Sequence, residues 1–440
     1  MALLVYVGID IGTTSAKICA RRAEELICEF KQTYDGDERL QNGIQNPTVI
    51  LKTVMRLLEK TQRLLEDKSM RIDEIWVCGQ MHGIVLWSEK SLLEGSSPSH
   101  SLLYNWTYSN PELVSFIDSL PKWTCSQLHP GFGLVTLAYL FHEDPHSLQF
   151  FDRCGTIMDL FATVLCSSPP PTVLISHHNA HSWAYCNPDT TWQSEIFEYL
   201  PKWIRLPTVT RDTSQVVGTW NGAKCHVASG DLQASVASLE QFESTAYIIL
   251  GTSAQLCCLV DSANSEATTT STVPPSVVQL PYSGSKKLLA ACAMNGGNAL
   301  ESILKMYSSD YTPLKLEALL NKSDEFPAQK TTSSHLFIDP IFIPERGISR
   351  QFTASGLSAS TSELEILEAT HHGIVRNLFE LFPIRVLKQL KIERIALVGA
   401  SQRPRFRRHI EAILKTSTTS IELIDATSAI STPLGATRFG

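Results

Sequence analysis

Apolar residues along the chain gather in short, β-branched runs separated by Gly, Thr, Ser and Asp. Residues 3–11 form the first such run and predict a buried strand. Gly12-Thr13-Thr14 is a turn, and residues 16–21 and 26–30 predict two further strands of a meander. Asn46 before Pro47 is an N-cap followed by the favoured first residue of a helix. Ile50, Val54, Leu57, Leu58, Leu64 and Leu65 then recur at helical spacing. Residues 75–78 predict a short strand that gives way to the polar loop Gly79-Gln80-Met81-His82-Gly83. Residues 132–141 and 156–166 predict helices, the second closed by Ser167-Ser168 and the three prolines after them. Residues 234–239 predict an apolar helix just beyond Asp231, which suits a helix N-cap. Residues 247–260 read as strand, turn at Gly251, strand. Residues 262–276, rich in Ser, Thr and Pro, predict an exposed loop. Ser362 and Glu365 have the spacing of a capping box ahead of a helix. Residues 395–398 predict a strand ending at Gly399-Ala400-Ser401, with a helix over 406–414 to follow. Strands alternating with helices indicate an α/β fold.

At 440 residues the chain is too long for one ordinary core and predicts two domains. With 43% hydrophobic and 18% charged residues, it has the composition of a folded chain. A net charge of −7 argues against a nucleic-acid partner, whose phosphates a binding protein neutralises with a basic surface. No apolar run approaches the roughly 20 residues of a membrane span. Asp10 and Gly12 interrupt the apolar start too early for a secretory signal. The 11 cysteines are odd in number and contain no Cys-x-x-Cys, which predicts reduced thiols and a cytoplasmic chain. In that compartment the sequons at Asn105 and Asn321 carry no glycan.

An internal echo bears on function. Thr14-Ser15-Ala16-Lys17-Ile18-Cys19 recurs as Thr252-Ser253-Ala254-Gln255-Leu256-Cys257, more than half a chain later, and both copies follow a strand and a glycine. This predicts two related domains, with coincidence over six short residues as the alternative. A Gly/Thr/Ser turn between strands offers free N–H groups and hydroxyls, which are phosphate ligands; a plain hairpin turn is the blander reading. Asp10, just before the first turn, suits Mg²⁺, which takes carboxylate, water and phosphate oxygens. The nucleotide loop of the Gly-x-x-x-x-Gly-Lys type is absent. His177, His178 and His181 have no cysteine or carboxylate beside them, so a surface loop is a better reading than a metal site. Arg403, Arg405, Arg407 and Arg408 predict a solvated helix start.

The stretch from Gly8 to Lys17, reading Gly-Ile-Asp-Ile-Gly-Thr-Thr-Ser-Ala-Lys, resembles the opening motif of the FGGY carbohydrate kinases. Four further stretches are similar, in order: Gly79 to Gly83, Gly230-Asp231-Leu232-Gln233-Ala234-Ser235, Gly251-Thr252-Ser253, and Asn295-Gly296-Gly297-Asn298 with Gly399-Ala400-Ser401 after it. The resemblance runs from about residue 5 to the last residues. It implies two actin-like ATPase domains of the ribonuclease H type, residues 1–229 and 230–440, with a central cleft. It implies Asp231 as catalytic base. Gly12, Thr13, Thr14, Gly251, Thr252, Ser253, Gly296, Asn298, Gly399 and Ala400 would hold the phosphates and nucleotide. Gln80, Met81, His82, Trp106, Asn179 and Asp231 would contact the sugar, and Asp10 would serve Mg²⁺.

The implied reaction is ATP-dependent phosphorylation of sedoheptulose at its C7 hydroxyl, giving an intermediate of the pentose phosphate pathway. Another ketose such as xylulose, or an inactive nucleotide- or sugar-binding chain, stays open as an alternative. Where the family has Trp-Gln-Asp-x-Arg, this chain has Trp106-Thr107-Tyr108-Ser109-Asn110. The implied partners are ATP and a small ketose, without nucleic acid or membrane, and the implied assembly is a monomer or homodimer.

Overall fold

A computed structural model describes residues 4–34, 41–166, 172–239, 242–261, 273–325, 336–345, 348–417, 420–426 and 431–439. The chain divides into two compact units, Met1–Leu239 with Ser431–Gly440, and Glu240–Ile430.

The first unit is built on a seven-stranded sheet. Its strands are β1 (Val5–Ile11), β2 (Ser15–Arg22), β3 (Glu25–Thr33), β4 (Glu74–Gly79), β5 (Val216–Trp220), β6 (Ala223–His226) and β7 (Ser229–Gly230). The order is β5-β6-β4-β1-β2-β3, and β7 continues the pairing along β4. β1, β2 and β3 form the expected antiparallel meander, while β4 lies parallel to β1, and β6 and β7 lie parallel to β4. Parallel pairing needs a crossover. The helix Pro47–Asp67 supplies one, capped by the Asn46 side chain, which accepts from Thr48 N–H at 3.0 Å. Its buried face is Ile50, Val54, Leu57, Leu58 and Leu65, with Leu64 only half-buried beside it. Val7, Ile9, Ile11, Ile18 and Ile75 complete this core, each contributing about 1.5–3 kcal/mol through burial.

A second core in the same unit forms around Trp183, Phe132, Leu134 and the helix Gly133–Glu143. The helix Ile157–Leu165 is capped by Thr156, and Asp159 completes a capping box that the sequence reading did not identify.

The second unit repeats the strand plan. Its strands are β8 (Thr245–Leu250), β9 (Ala254–Asp261), β10 (Val278–Pro281), β11 (Lys286–Ala293), β12 (Arg394–Gly399) and β13 (Glu422–Asp425), in the order β10-β11-β9-β8-β12-β13. β8 and β9 form a hairpin, and β12 lies parallel to β8 as β4 lies parallel to β1. The echoed hexapeptides therefore occupy the same turn of two like sheets. The helix Glu363–Leu381 begins with the expected capping box of Ser362 and Glu365.

Some expectations need correction. Asp231 is the first helical residue of Asp231–Ser238, and Gly230 is the cap, so Asp231 does not cap the helix. The compact units do not divide at 229/230: this helix and the terminal helix Thr432–Ala436 both fold with the first sheet. Arg438 Nη1 donates to the carbonyls of Ala237 and Ser238 at 3.1 and 3.0 Å, and Arg21 Nη2 donates to Thr437 O at 2.7 Å. His177–His181 is a short helix with His178 buried, not a surface loop, because Ser176 caps it against the second core. The arginine run is engaged by acids, with Arg405 at 2.6 Å from Asp324, Arg407 at 2.7 Å from Asp425 and Arg408 at 2.5 Å from Glu368. Most of the Ser/Thr/Pro-rich segment expected at 262–276 lies outside the described residues, as do the serines and prolines at 167–171.

Candidate active site

In the first unit, β1, β4 and β7 run side by side in one direction, with Ile11 in register with Gly79 and Gly79 with Gly230. Their ends therefore bring Asp10, Gln80 and Asp231 to one edge of the sheet. Asp10 is buried, with Lys17 Nζ at 3.4 Å from Oδ2. Burial pushes its carboxyl above the usual carboxylate range, and Lys17 and Lys31 draw it back. Asp231 is half-buried, and its Oδ1 accepts from Leu232 N–H at 2.8 Å, which orients the carboxylate. Loss of hydration pushes this carboxyl up to about 7, and the negative charge of Asp10 adds to the effect. A carboxyl poised there takes up a proton near neutral pH, as a general base requires.

The turn from Gly12 to Thr14 is held from behind by side chains. Gly12 O accepts from the Tyr34 hydroxyl at 3.0 Å and from Gln80 Nε2 at 3.4 Å. Thr13 O accepts from Gln45 Nε2 at 2.7 Å, and Thr13 Oγ1 accepts from the Trp106 indole N–H at 2.9 Å. Thr14 O accepts from Tyr34 N–H at 3.2 Å. With the carbonyls engaged, the N–H groups of Thr13 and Thr14 have no partner among the described residues. Free N–H groups on a short turn make a concavity for an anion. Gln45 Oε1 in turn accepts from Gln80 Nε2 at 3.2 Å and Asn105 Nδ2 at 3.0 Å, so one buried network locks the turn to two distant segments.

The structure brings Asp10, Gly12, Thr13, Thr14, Gln80, Trp106 and Asp231 together through these contacts. Gln80 and Trp106, expected against the sugar, have side chains that brace the Gly12–Thr14 turn. Trp106 is fixed in part by Gly131, whose φ of +79° no ordinary side chain adopts easily; a Cβ there would lie 2.3 Å from the Trp106 carbonyl oxygen. The remaining sugar-side candidates lie nearby in sequence or sheet. Met81 is buried, with its sulfur 2.6 Å from where a Cβ on Gly230 would lie. His82 stacks on Phe132 at 5.3 Å between ring centres, and Phe132 meets Trp123 and His129 edge-on. Asn179 is buried, and its Nδ2 donates to Ala228 O at 3.1 Å, just ahead of β7.

The segment that departs from the Trp-Gln-Asp-x-Arg pattern has local structural roles. Thr107 donates to Asn105 Oδ1 at 2.8 Å, and Asn110 caps the helix Pro111–Ile117 by accepting from Leu113 N–H at 2.6 Å.

In the second unit the corresponding turn is held by backbone. Gly251 O accepts from Gly297 N–H at 2.8 Å and Thr252 O from Asn298 N–H at 3.1 Å. Asn298 Oδ1 accepts from Gly296 N–H at 2.8 Å. A Cβ on Gly296 would lie 2.5 Å from the Ser253 carbonyl carbon, so two chain segments meet where only glycine fits. Gly251 and Thr252 are exposed, and Gly399, in register with Leu250, ends the adjacent parallel strand, also exposed, with Ala400 half-buried after it. Asn295 anchors this knot from below: its Nδ2 donates to Glu345 Oε1 and Ile343 O, both at 2.7 Å. Glu345 also accepts from Met294 N–H and Asn377 Nδ2, each at 2.8 Å.

Sequence reasoning missed Tyr34, Gln45, Asn105 and Glu345. Their partners are remote in sequence, and no local motif marks them. Among the described residues no group of three His, Cys, Asp or Glu side chains is arranged to hold a metal ion. No helix among them is long and apolar enough to cross a membrane.

The fold is that of the sugar kinases of known structure, with two domains of the actin-like, ribonuclease H-like type. The chain is similar to a xylulose kinase from Rhodospirillum rubrum, with a TM-score of 0.78, 14% identity, and 99% of this chain and 89% of that one covered. It is also similar to a glycerol kinase from Plasmodium falciparum solved with ADP, with a TM-score of 0.76, 16% identity, and 99% and 88% covered. No profile of a known protein family matches. Curated sequences give a finer likeness: the human sedoheptulokinase is 28% identical over 437 residues and the mouse sedoheptulokinase 29% over 434, each covering 90% of both chains. Both likenesses run over nearly the whole chain, and both are to carbohydrate kinases of the FGGY type.

Proposed function

We propose that the chain transfers the γ-phosphoryl group of ATP to the terminal primary hydroxyl of a ketose, and that sedoheptulose, phosphorylated at C7, is the preferred acceptor. The observation that carries this reading is Asp231: a half-buried carboxyl held near neutrality, beside a buried second acid and a turn with free N–H groups. Asp231 takes the proton as the sugar oxygen attacks the γ-phosphorus, the bond to the bridging oxygen breaks, and ADP leaves. Phosphoryl transfer rests on positioning and charge stabilisation, which the N–H groups of Thr13 and Thr14 and the Thr13 and Thr14 hydroxyls supply.

Glycine-tight packing around Gly251, Thr252, Ser253, Gly296 and Asn298, with Gly399 and Ala400 alongside, suits the second unit to the nucleotide. Asp10 fits a divalent cation. Its donor is a carboxylate oxygen, the type Mg²⁺ takes, and its buried charge is offset mainly by Lys17 at 3.4 Å. Asp10 would hold Mg²⁺, which when bound would supply charge neutralisation to the phosphoryl group. Met81, His82 and Asn179 are assigned to the sugar, with Gln80 and Trp106 acting on it through the phosphate turn.

The choice of sedoheptulose is supported by the curated relatives, 28–29% identical over nearly the whole chain. The test is incubation with Mg-ATP and sedoheptulose, xylulose, ribulose, fructose or glycerol in parallel, with product read by mass spectrometry. A sedoheptulose monophosphate formed at the highest kcat/KM is expected. Preference for xylulose overturns the substrate, and no product from any sugar overturns the reaction.

A further inference from the structure

Apart from the Gly12–Thr14 turn, the first unit holds an open cavity of about 880 Å³, where the helices Pro111–Ile117 and Gly133–Glu143 meet the helical turn Ser194–Tyr199. Rings and carboxylates divide its lining. Phe116, Tyr139 and Tyr199 supply apolar surface, and Glu112, Glu143 and Glu198 supply three exposed carboxylates. None of these carboxylates has an ion-pair or hydrogen-bond partner among the described residues. No Lys or Arg lines the cavity; its one basic side chain there is His142, stacked on Phe116 at 4.9 Å between ring centres. Tyr139 is only 6% exposed, yet its hydroxyl has no hydrogen-bond partner among the described residues. A buried hydroxyl ordinarily has one, so this oxygen is open to a group that enters the cavity. Large apolar side chains continue the surface outside it. Trp203 meets the ring of the lining residue Phe141 edge-on at 5.6 Å, Val114 and Phe197 adjoin lining residues in the chain, and all three are exposed.

We propose that this cavity receives a segment of a partner protein in which Lys or Arg stands among apolar residues. Charge complementarity selects the cation. Three unpaired carboxylates with no Lys or Arg beside them attract an ammonium or guanidinium head, and aromatic faces in the same lining attract it further. The Tyr139 oxygen accepts a hydrogen bond from that head. The apolar stem of Lys or Arg lies along the rings while its head reaches the glutamates. The exposed Val114, Phe197 and Trp203 select a protein over a free amine, because apolar surface beyond the cavity is covered only by a ligand larger than the cavity. The same glutamates repel an acidic segment or a nucleic acid.

The probe is a library of phage-displayed random dodecapeptides selected on the full-length chain. Enriched peptides are synthesised and titrated by fluorescence anisotropy against the parent, Glu143→Lys/Glu198→Lys, Tyr139→Phe and Glu317→Lys. Glu317 is an exposed acid of the second unit, outside the cavity, and serves as the control for net charge. The enriched peptides should carry Lys or Arg beside Leu, Ile or Phe. Glu143→Lys/Glu198→Lys should bind them about tenfold more weakly or worse, Tyr139→Phe several-fold more weakly, and Glu317→Lys as the parent does. Circular dichroism checks the fold of each variant, and Glu143→Gln/Glu198→Gln gives the same direction where charge reversal disturbs it. Enriched peptides without Lys or Arg, or equal binding by the double variant, overturn the proposal. So does spermine binding more tightly than the peptides, which assigns the cavity to a free amine. Self-association of the parent in light scattering, lost in Glu143→Lys/Glu198→Lys, assigns it to a second copy and overturns it too.

Discussion

The turn at Gly12-Thr13-Thr14 and the turn at Gly251-Thr252-Ser253 follow the same strand-turn-strand path, yet different chemistry holds each from behind. Tyr34, Gln45, Gln80 and Trp106 brace the first through side chains. Gly297 and Asn298 brace the second through their backbone N–H groups, and Gly296 leaves no room for a Cβ. The acids differ too: Asp10 and Asp231 stand at the end of the first sheet's strands, while Glu345, the acid under the second turn's loop, is taken up by Met294, Asn295 and Asn377. One sequence motif thus follows one backbone path in both units, while the residues around it differ: carboxylates and side-chain braces at the first copy, backbone braces at the second.

The comparison breaks most visibly at Asp231. Asp231→Asn removes the base, and kcat should fall by about 10²–10⁴-fold with nucleotide affinity unchanged, checked by initial rates and titration calorimetry. Unfolding does not account for such a loss. A carboxyl pKa raised to about 7 means the folded chain holds that proton more tightly than the unfolded chain, so the group lowers stability as pH rises towards 7 and above. The Asn variant therefore melts no lower than the parent at alkaline pH.

Gly296→Val should come next in effect. Its Cβ meets the Ser253 backbone, and KM for ATP should rise at least tenfold, about 1.4 kcal/mol, with kcat for bound substrate less affected. Glu345→Gln weakens the anchor under the same loop; with up to three of its donors left poorly matched, thermal unfolding should show a loss of about 1–3 kcal/mol. Trp106→Phe is the smallest change. Losing the bond to Thr13 Oγ1 costs about 0.5–1.5 kcal/mol, read as a several-fold rise in KM for ATP. If Trp106→Phe raised KM for sugar alone, the indole would be a sugar contact and not a brace.

The strands carrying the site, 5–11, 74–79, 245–250 and 394–399, were legible because each is a short apolar run ending at a glycine or polar turn. So was the relation between the units, through the echoed hexapeptide. Asp10 drew notice by its place before such a turn, whereas Asp231 was expected as base only through the resemblance of the Gly230 to Ser235 stretch. What escaped was the packing behind the turns. Gln45 reaches Thr13 and Asn105 across 32 and 60 residues of chain, and Glu345 reaches Asn295 across 50. Such contacts leave no periodic trace. For the same reason Gln80 and Trp106 were expected at the sugar, when their polar atoms turn towards Gly12 and Thr13. The start of the Asp231 helix was misplaced because Asp231 has the composition of a cap while Gly230 has its geometry.

Burial and the charge of Asp10 raise the Asp231 carboxyl to where a base works at neutral pH. The most direct measurement is the pH dependence of kcat/KM with the sugar limiting. The account predicts a limb that rises through about pH 7, is lost in Asp231→Asn, and moves to lower pH in the residual activity of Asp10→Asn. A profile flat through neutrality, or a limb that persists unchanged in Asp231→Asn, would contradict it.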